Sequence, residues 1–327
     1  IERGGVIAQL VGTVALLEPA ERALLAGYVV NKFRGDPTLF EGAHPVIEQH
    51  TGLSSLGVVT WFAPASALPK EDMMGLAELA RDGLAGDGAI TVAVPRLPRL
   101  ANFDDLDPLA AEPGVVLRVL EPGEPLQAAT DLVLLPGSKA TLADLAVLRH
   151  EGWDIDIQAH VRRGGWVLGL CGGYQMLGRR IADPLGLEGA AGDVVGLGLL
   201  EVDTLLEPAK TLALRDAVEL ATGESVRGYE IHMGRTAGPA CARPMLRMEA
   251  GTDGAVSADG RIMGCYLHGL LAADGFRHAL LGRIRGRVGQ KLAYEARVEA
   301  ALDGLAAHLE RCLDLDRLLA IASAPPR

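Results

Sequence analysis

Aromatic side chains are scarce, with three Trp, five Tyr and five Phe making up 4% of 327 residues. Any core must therefore be built from Leu, Val and Ala, and a hydrophobic content of 49% supplies enough for two domains, the default for this length. Cysteine is also sparse. Cys171, Cys241, Cys265 and Cys312 lie far apart and form no Cys-x-x-Cys pair. That excludes a disulfide framework and the usual zinc spacing, leaves no metal site to expect, and fits a reducing cytoplasm. Positive charge is in deficit: 31 Lys and Arg stand against 42 Asp and Glu, for a net charge of −11. A nucleic-acid or anionic-membrane surface needs the opposite. No apolar run reaches the roughly 18 residues of a membrane helix, and no signal peptide is visible. The phosphate-loop pattern Gly-x-x-x-x-Gly-Lys-[Ser/Thr] occurs nowhere, and the chain opens at Ile1, without Met, on what reads as mid-domain sequence. The expectation is a truncated product or fragment.

What the sequence does have is alternation. Glycine-rich Asp82-Gly-Leu-Ala-Gly-Asp-Gly88 is the best linker. Before it, apolar stretches at 1–17, 28–33 and 56–61 are separated by helical patterns, as in the back half of an α/β unit. After it, 90–94, 115–120, 132–135 and 167–170 are nearly continuous Val, Leu and Ile, the mark of buried parallel strands. Helices are expected at 142–148 and 155–162, and further strands at 194–204, 228–232 and 261–266. This is a doubly wound sheet, whose functional groups gather at strand C-termini. Near the end, Leu302, Leu305, Leu309 and Cys312 are spaced as on a docking helix.

Chemistry concentrates in Gly169-Leu-Cys-Gly-Gly-Tyr-Gln-Met-Leu-Gly178. A buried strand runs straight into Cys171 and a helical pattern begins behind it, the strand–turn–helix arrangement of a nucleophile elbow. Flanking glycines permit the strained backbone and the approach of a substrate. The positive end of the helix dipole would stabilise the thiolate, which is the reactive form. The N–H of Gly172 would face a developing oxyanion, with Gly137 and Ser138 of Leu134-Leu-Pro-Gly-Ser138 offering a second donor from a neighbouring strand end. The bland alternatives are a core cysteine in a tight turn, and a strand-ending turn with Ser138 as helix cap. A cysteine nucleophile needs a base within hydrogen-bond reach. Six of the eight histidines lie in helical or loop stretches with polar neighbours. His268, in Gly264-Cys-Tyr-Leu-His-Gly269, and His232, in Gly228-Tyr-Glu-Ile-His-Met-Gly-Arg235, each end an apolar strand, and spacing alone does not choose between them.

The 169–178 motif together with Tyr266-Leu-His-Gly269 resembles the class I glutamine amidotransferases. Within them, the 228–235 motif resembles the branch of the cobyric acid and cobyrinate a,c-diamide synthases. Glu2-Arg-Gly-Gly-Val6, Asn31-Lys-Phe-Arg-Gly-Asp36, Asn102-Phe-Asp-Asp-Leu-Asp-Pro108, Pro136-Gly-Ser-Lys139 and Leu313-Asp-Leu-Asp316 are similar to the cobyric acid synthase family in particular. The resemblance implies an α/β chain in three parts. Residues 1–88 would be the back part of a P-loop-type synthetase domain, 89–290 a flavodoxin-like, doubly wound amidotransferase domain, and 291–327 a helical tail. It implies that Cys171 attacks the amide of L-glutamine with His268 as its base. Gln175, Tyr229, Glu230 and His232 would bind substrate or support the site. Asn31 and Lys32 would lie in the nucleotide-contact region, although Arg34 departs from Asn-Lys-x-Asp, and a plain strand-end turn is the alternative for Asn31. ATP and Mg²⁺ would serve the full-length enzyme, none being bound by the amidotransferase domain itself. The released ammonia would amidate carboxylates of a corrinoid, with the missing N-terminal part of the synthetase domain as partner. Many class I members carry an acid two positions after the histidine. Leu270 stands there, so a Cys–His dyad is expected, its imidazole oriented by another group such as Glu230. The competing readings are a cobyrinate a,c-diamide synthase, the glutaminase subunit of a cell-wall amidotransferase, and a silent scaffold.

Overall fold

The computed structural model describes residues 5–69, 88–249, 251–286 and 291–323. The expected linker, except for Gly88, lies outside them, as do Glu2, Arg3 and Gly4 of the first motif. The chain forms two compact units, Ile1–Leu68 with Ala296–Arg327, and Pro69–Glu295.

In the first unit, the apolar start of the chain is a helix, α1 (Val6–Leu16). Val6, Ile7 and Leu10 recur at helical spacing and pack on a small core of Tyr28, Val30, Phe33, Phe40, Ala43 and Ile47. Strands β1 (Tyr28–Phe33) and β2 (Ser55–Thr60) pair in parallel, joined through helix α2 (Ala43–Thr51). The end of the chain belongs here too. Helices Tyr294–Cys312 and Leu315–Ser323 flank a turn whose Asp314 N–H donates to Leu56 O at 2.9 Å, and the His308 ring bonds Thr60 O at 2.9 Å. The sequence set 291–327 apart as a tail, whereas these hydrogen bonds tie it to the edge of β2.

The second unit is built on a parallel sheet. Its strands are β3 (Ile90–Pro95), β4 (Val115–Leu120), β5 (Leu132–Leu135), β6 (Trp166–Leu170) and, later in the chain, Ile262–Cys265, in the spatial order β4, β3, β5, β6, Ile262–Cys265. All are parallel, and Ala255–Val256 closes one edge antiparallel. Val92, Val133, Leu134, Val167 and Leu168 are completely buried, as near-continuous apolar strands covered on both faces must be. Helices α3 (Thr141–His150) and α4 (Trp153–Arg162) match the sequence expectation closely. The short helix α5 (Gly172–Leu177) follows β6 directly.

A second, largely antiparallel sheet was legible only in part. The expected strand at 194–204 is two strands and a turn. Gly192–Val195 pairs with β7 (Arg180–Asp183), and β8 (Asp203–Glu219) starts afresh after Gly196 and Gly198 have turned the chain. The short expected strand at 228–232 is the middle of β9 (Ser225–Ala237), which pairs with β8 as a long hairpin. The expected strand at 261–266 divides. Ile262–Cys265 stays in the parallel sheet, while β10 (Leu267–His268) crosses to pair with β9, placing Tyr229 opposite His268. That crossing brings the two sheets together at the site.

Candidate functional site

Cys171 sits where β6 ends and α5 begins, with φ 51° and ψ −107°. Such a backbone costs on the order of 1–3 kcal/mol. Each buried Val or Leu of the strand contributes about 1.5–3 kcal/mol, so the strand holds the strain. Cys171 N–H donates to Cys265 O at 2.8 Å, and its carbonyl accepts from Gln175 N at 3.1 Å. Helix α5 lies hard against β5: a Cβ on Gly173 would come within 2.0 Å of Leu135 O, so only glycine fits. A Cβ on Gly172 would lie 2.9 Å from Ser138 N, so these two backbone segments face each other beside the thiol. The Ser138 hydroxyl is engaged elsewhere, donating to Asp144 at 2.6 Å and accepting from Ala140 N at 3.0 Å.

His268 is 1% exposed. Its Nδ1 lies 2.6 Å from Asp105 Oδ2, and Asp105 Oδ1 accepts the Gly269 N–H at 2.7 Å. A carboxylate only accepts, so Nδ1 donates and Nε2 is left to exchange a proton. Burial works to lower the affinity of this ring for a proton. The Asp105 charge and hydrogen bond outweigh it, the neighbouring Cys171 acts in the same direction, and the imidazole is pushed up to about 10. Cys171 Sγ also lies 3.5 Å from Ile231 O. The dyad expected from Leu270 is therefore a row of three, and Glu230 does not orient the ring, because its carboxylate accepts from Arg215 Nε at 2.7 Å. Asp105 was quoted in the 102–108 motif without a role. Nothing in sequence spacing shows that it meets a residue 163 positions later.

The other candidates divide clearly. Tyr229 stacks on the His268 ring at 5.4 Å, and its hydroxyl donates to Asp104 Oδ2 at 3.2 Å. Burial and the charges of Asp104 and Asp105 push that hydroxyl up, keeping it a donor. Gln175 accepts from Thr141 Oγ1 at 3.1 Å and donates to Met233 O and Tyr266 Oη at 3.1 and 3.2 Å, tying the elbow to β9. His232 stacks on Tyr266 at 3.7 Å; burial pushes its imidazole down, and its Nδ1 is buried without a hydrogen-bond partner among the described residues. Cys171, His268, Gly137, Ser138, Gln175 and His232 all line one cleft of about 340 Å³, with Asn102, Glu188 and Lys210 among its other walls. Asn102 (φ 58°) and Cys171 are both strained residues of that wall. Asn31 and Lys32 belong to the other unit. Asn31 Oδ1 accepts the Lys32 N–H at 2.8 Å, with Lys32 at φ 54°.

The sequence has known relatives. The model of the CobB/CobQ-like glutamine amidotransferase domain matches residues 91–276. The chain is 54% identical over 322 residues to the cobyric acid synthase of Cereibacter sphaeroides, covering 98% of this chain and 66% of that protein. Against the cobyric acid synthase of Methylobacterium nodulans it is 56% identical over 324 residues, with coverage of 99% and 66%. For that of Methylocella silvestris the values are 54% over 324 residues, 99% and 67%. The chain thus spans about two thirds of the length of these relatives. PurLQS of Thermotoga maritima, a solved structure, overlaps 65% of this chain and 99% of its own at a TM-score of 0.44 and 17% identity, too distant to add weight. By its domain match and its identity to these synthases, the chain belongs to the cobyric acid synthase family and carries that family's CobB/CobQ-like glutamine amidotransferase domain over residues 91–276.

Proposed function

We propose that this cleft hydrolyses L-glutamine and hands on the ammonia. The observation that carries the reading is the row Asp105–His268–Cys171, set at the mouth of a cleft beside the backbone of Gly172 and Ser138. His268 takes the Cys171 proton and the thiolate adds to the side-chain amide carbon. The N–H groups of Gly172 and Ser138 receive the oxyanion. His268 then returns its proton to the leaving nitrogen, releasing ammonia and leaving a glutamyl thioester. Water, deprotonated by the same imidazole, cleaves the thioester to glutamate and restores the thiol. Asp105 holds the ring in the tautomer that this exchange needs and stabilises the imidazolium.

In the whole protein the ammonia goes to carboxylates of a corrinoid, converting adenosylcobyrinic acid a,c-diamide to adenosylcobyric acid. The identity to cobyric acid synthases, at 51% to 56% over nearly the whole chain, supports this over the alternatives. ATP and Mg²⁺ drive that ligation. Asn31 and Lys32 would contact the nucleotide there, the triphosphate itself needing a phosphate loop that this sequence does not contain. A biosynthetic enzyme of this kind works in the cytoplasm, and no helix among the described residues is long and apolar enough to cross a membrane. The test pairs two assays. This chain should release glutamate from L-glutamine. The whole protein, given ATP, Mg²⁺, glutamine and the a,c-diamide, should yield a corrinoid with new amides by mass spectrometry. Glutamine hydrolysis without new corrinoid amides would sink the corrinoid assignment alone; no hydrolysis would sink the glutaminase.

A further inference from the structure

A second cavity, of about 370 Å³, lies at the residues that open β5, β6 and Ile262–Cys265, and it shares no lining residue with the cleft at Cys171. Strand β6 spans the two. Trp166 stands at this end and Cys171 follows the other, roughly 16 Å away at about 3.3 Å per residue. In a chain of net charge −11, this cavity is cationic. Arg163, Arg261 and Arg283 line it against one carboxylate, Asp131. That carboxylate is already committed, since Oδ2 accepts the Thr91 N–H and Oδ1 accepts from Arg285 Nε, both at 2.9 Å. The charge of Arg261 reaches Asp259, but Asp259 is outside the lining and is bonded to the Ser257 hydroxyl and the Arg261 N–H at 2.6 and 3.2 Å. Among the described residues, none of the three guanidinium groups makes a salt bridge. Two of them are nonetheless held in place. Arg261 Nη1 donates to Gly164 O at 2.8 Å, and a Cβ on Gly164, at φ 84°, would collide with that nitrogen. Arg283 Nη2 donates to Gly260 O at 3.2 Å, and its guanidinium lies 5.1 Å from the centre of the Trp166 ring. His160, in the same wall, feels the positive field: burial pushes its imidazole down, and Arg163 pushes it the same way.

We propose that this cavity binds a phosphate group, free or carried on a small molecule. The inference stands apart from the glutaminase reading and uses none of its residues. A guanidinium is a flat fork of N–H donors that matches an oxyanion two bonds at a time. Three forks around one space need more acceptor oxygens than the two of a carboxylate, and a tetrahedral phosphate supplies them. Arg261 and Arg283 are ordered beforehand by carbonyl oxygens, so less side-chain freedom is lost on binding. Arg163 and Arg283 also stand at the C-terminal ends of α4 and of the helix Asp274–Arg285, where a cation complements the helix dipole. That accounts for one charge at each helix end. It does not account for their convergence with Arg261, which lies on no helix, around one cavity.

The experiment follows thermal unfolding of the full chain in inorganic phosphate, ADP, acetate and chloride, all as sodium salts at one ionic strength. Phosphate, ADP or both should raise the Tm of the parent in a saturating manner, beyond any effect of chloride or acetate. Arg163→Gln and Arg261→Gln should each weaken the apparent Kd by about 10–100-fold, the scale of a lost charged hydrogen bond. Arg163→Lys, which keeps the charge and loses the fork, should fall between parent and Arg163→Gln. Each variant is compared with its own Tm in chloride, so that any loss of stability from the missing Arg261–Gly164 bond is removed. Arg163→Gln should hydrolyse glutamine like the parent, because the cavity is at the far end of β6. A rise with inorganic phosphate that depends on Arg163 supports a free-phosphate site, and one confined to ADP supports a phosphate carried on a nucleotide. A rise no larger than that in chloride, an equal rise in acetate, or a rise that both glutamine variants keep overturns the proposal and leaves the arginines as helix-end charges.

Discussion

The two halves of the site are made in opposite ways. The proposed nucleophile comes from ten consecutive residues, in which one strand end, one strained cysteine and its glycines fix the geometry locally. The proposed base comes from His268 and Asp105, brought together across 163 positions by β10 leaving one sheet for the other and by the 102–105 segment. The local half is decided by shape, because nothing larger than hydrogen fits against Leu135. The distant half is decided by charge, because a carboxylate must hold a buried imidazole. Steric changes should therefore damage the first half and charge changes the second.

The largest expected effect is the removal of the thiol. Cys171→Ala should lower glutamine hydrolysis by about four orders of magnitude or more. Thermal unfolding should barely change, since the fold depends on the backbone there. Ammonia-dependent amidation by the whole protein should persist, because free ammonia bypasses the cleft. Normal glutamine turnover would remove Cys171 from the reaction.

Next comes Asp105→Asn, which keeps the shape and deletes the charge. In a related three-residue arrangement such a change costs up to about 10⁴-fold in kcat, and a fall of about 10²–10⁴-fold with little change in KM is expected here. The pH dependence sharpens the test. The folded-state pKa of His268, at about 10, is above the ordinary value of about 6.5. Its contribution to stability is therefore complete below about pH 6.5 and is lost as the pH rises through about 10. Denaturant titrations at pH 6 and pH 9 should show the parent losing stability across that window and Asp105→Asn losing less. Equal losses would separate Asp105 from His268.

Gly173→Ala changes no charge but drives a methyl group to within 2.0 Å of Leu135 O. Overpacking of this kind costs about 1–3 kcal/mol, and the activity should fall with it because α5 must move. A Tm equal to that of the parent would mean that the elbow is looser than described. The smallest effect is the matched control. Gly282 lies inside the helix Asp274–Arg285 with none of the described residues within 4 Å of its Cβ position, so Gly282→Ala should raise stability by about 0.5–1 kcal/mol and leave glutamine hydrolysis unchanged. If both alanines behave alike in a melting experiment, the contrast between a steric elbow and an ordinary helix is void.

The legibility of these regions follows the same division. The parallel strands could be read because burial on both faces writes itself as continuous Val, Leu and Ile. The long hairpin was read only at its centre, since Leu212 and Leu214 are exposed and the alternation of burial that both ends of β8 keep is interrupted at residues 207–210. Glu188 drew no notice in the sequence, because a lone glutamate in a loop has no pattern, and only the closing of the loop by Asp183 turns it toward the cleft.

By itself the sequence determined the strand–turn–helix geometry at Cys171, the order of the parallel strands' apolar segments and the choice of two histidines. Each of these is a property of neighbouring residues: a strand must be apolar to be buried, and a tight turn must be glycine-rich to be made. The family resemblance already preferred His268 to His232; only the tertiary structure set Asp105 rather than Glu230 against its ring and joined the last helices to the first strands. Those outcomes depend on which strand ends meet. A hydrogen bond of 2.6 Å between residues 163 positions apart is fixed by the path of the chain through two sheets, for which no local spacing carries a signal.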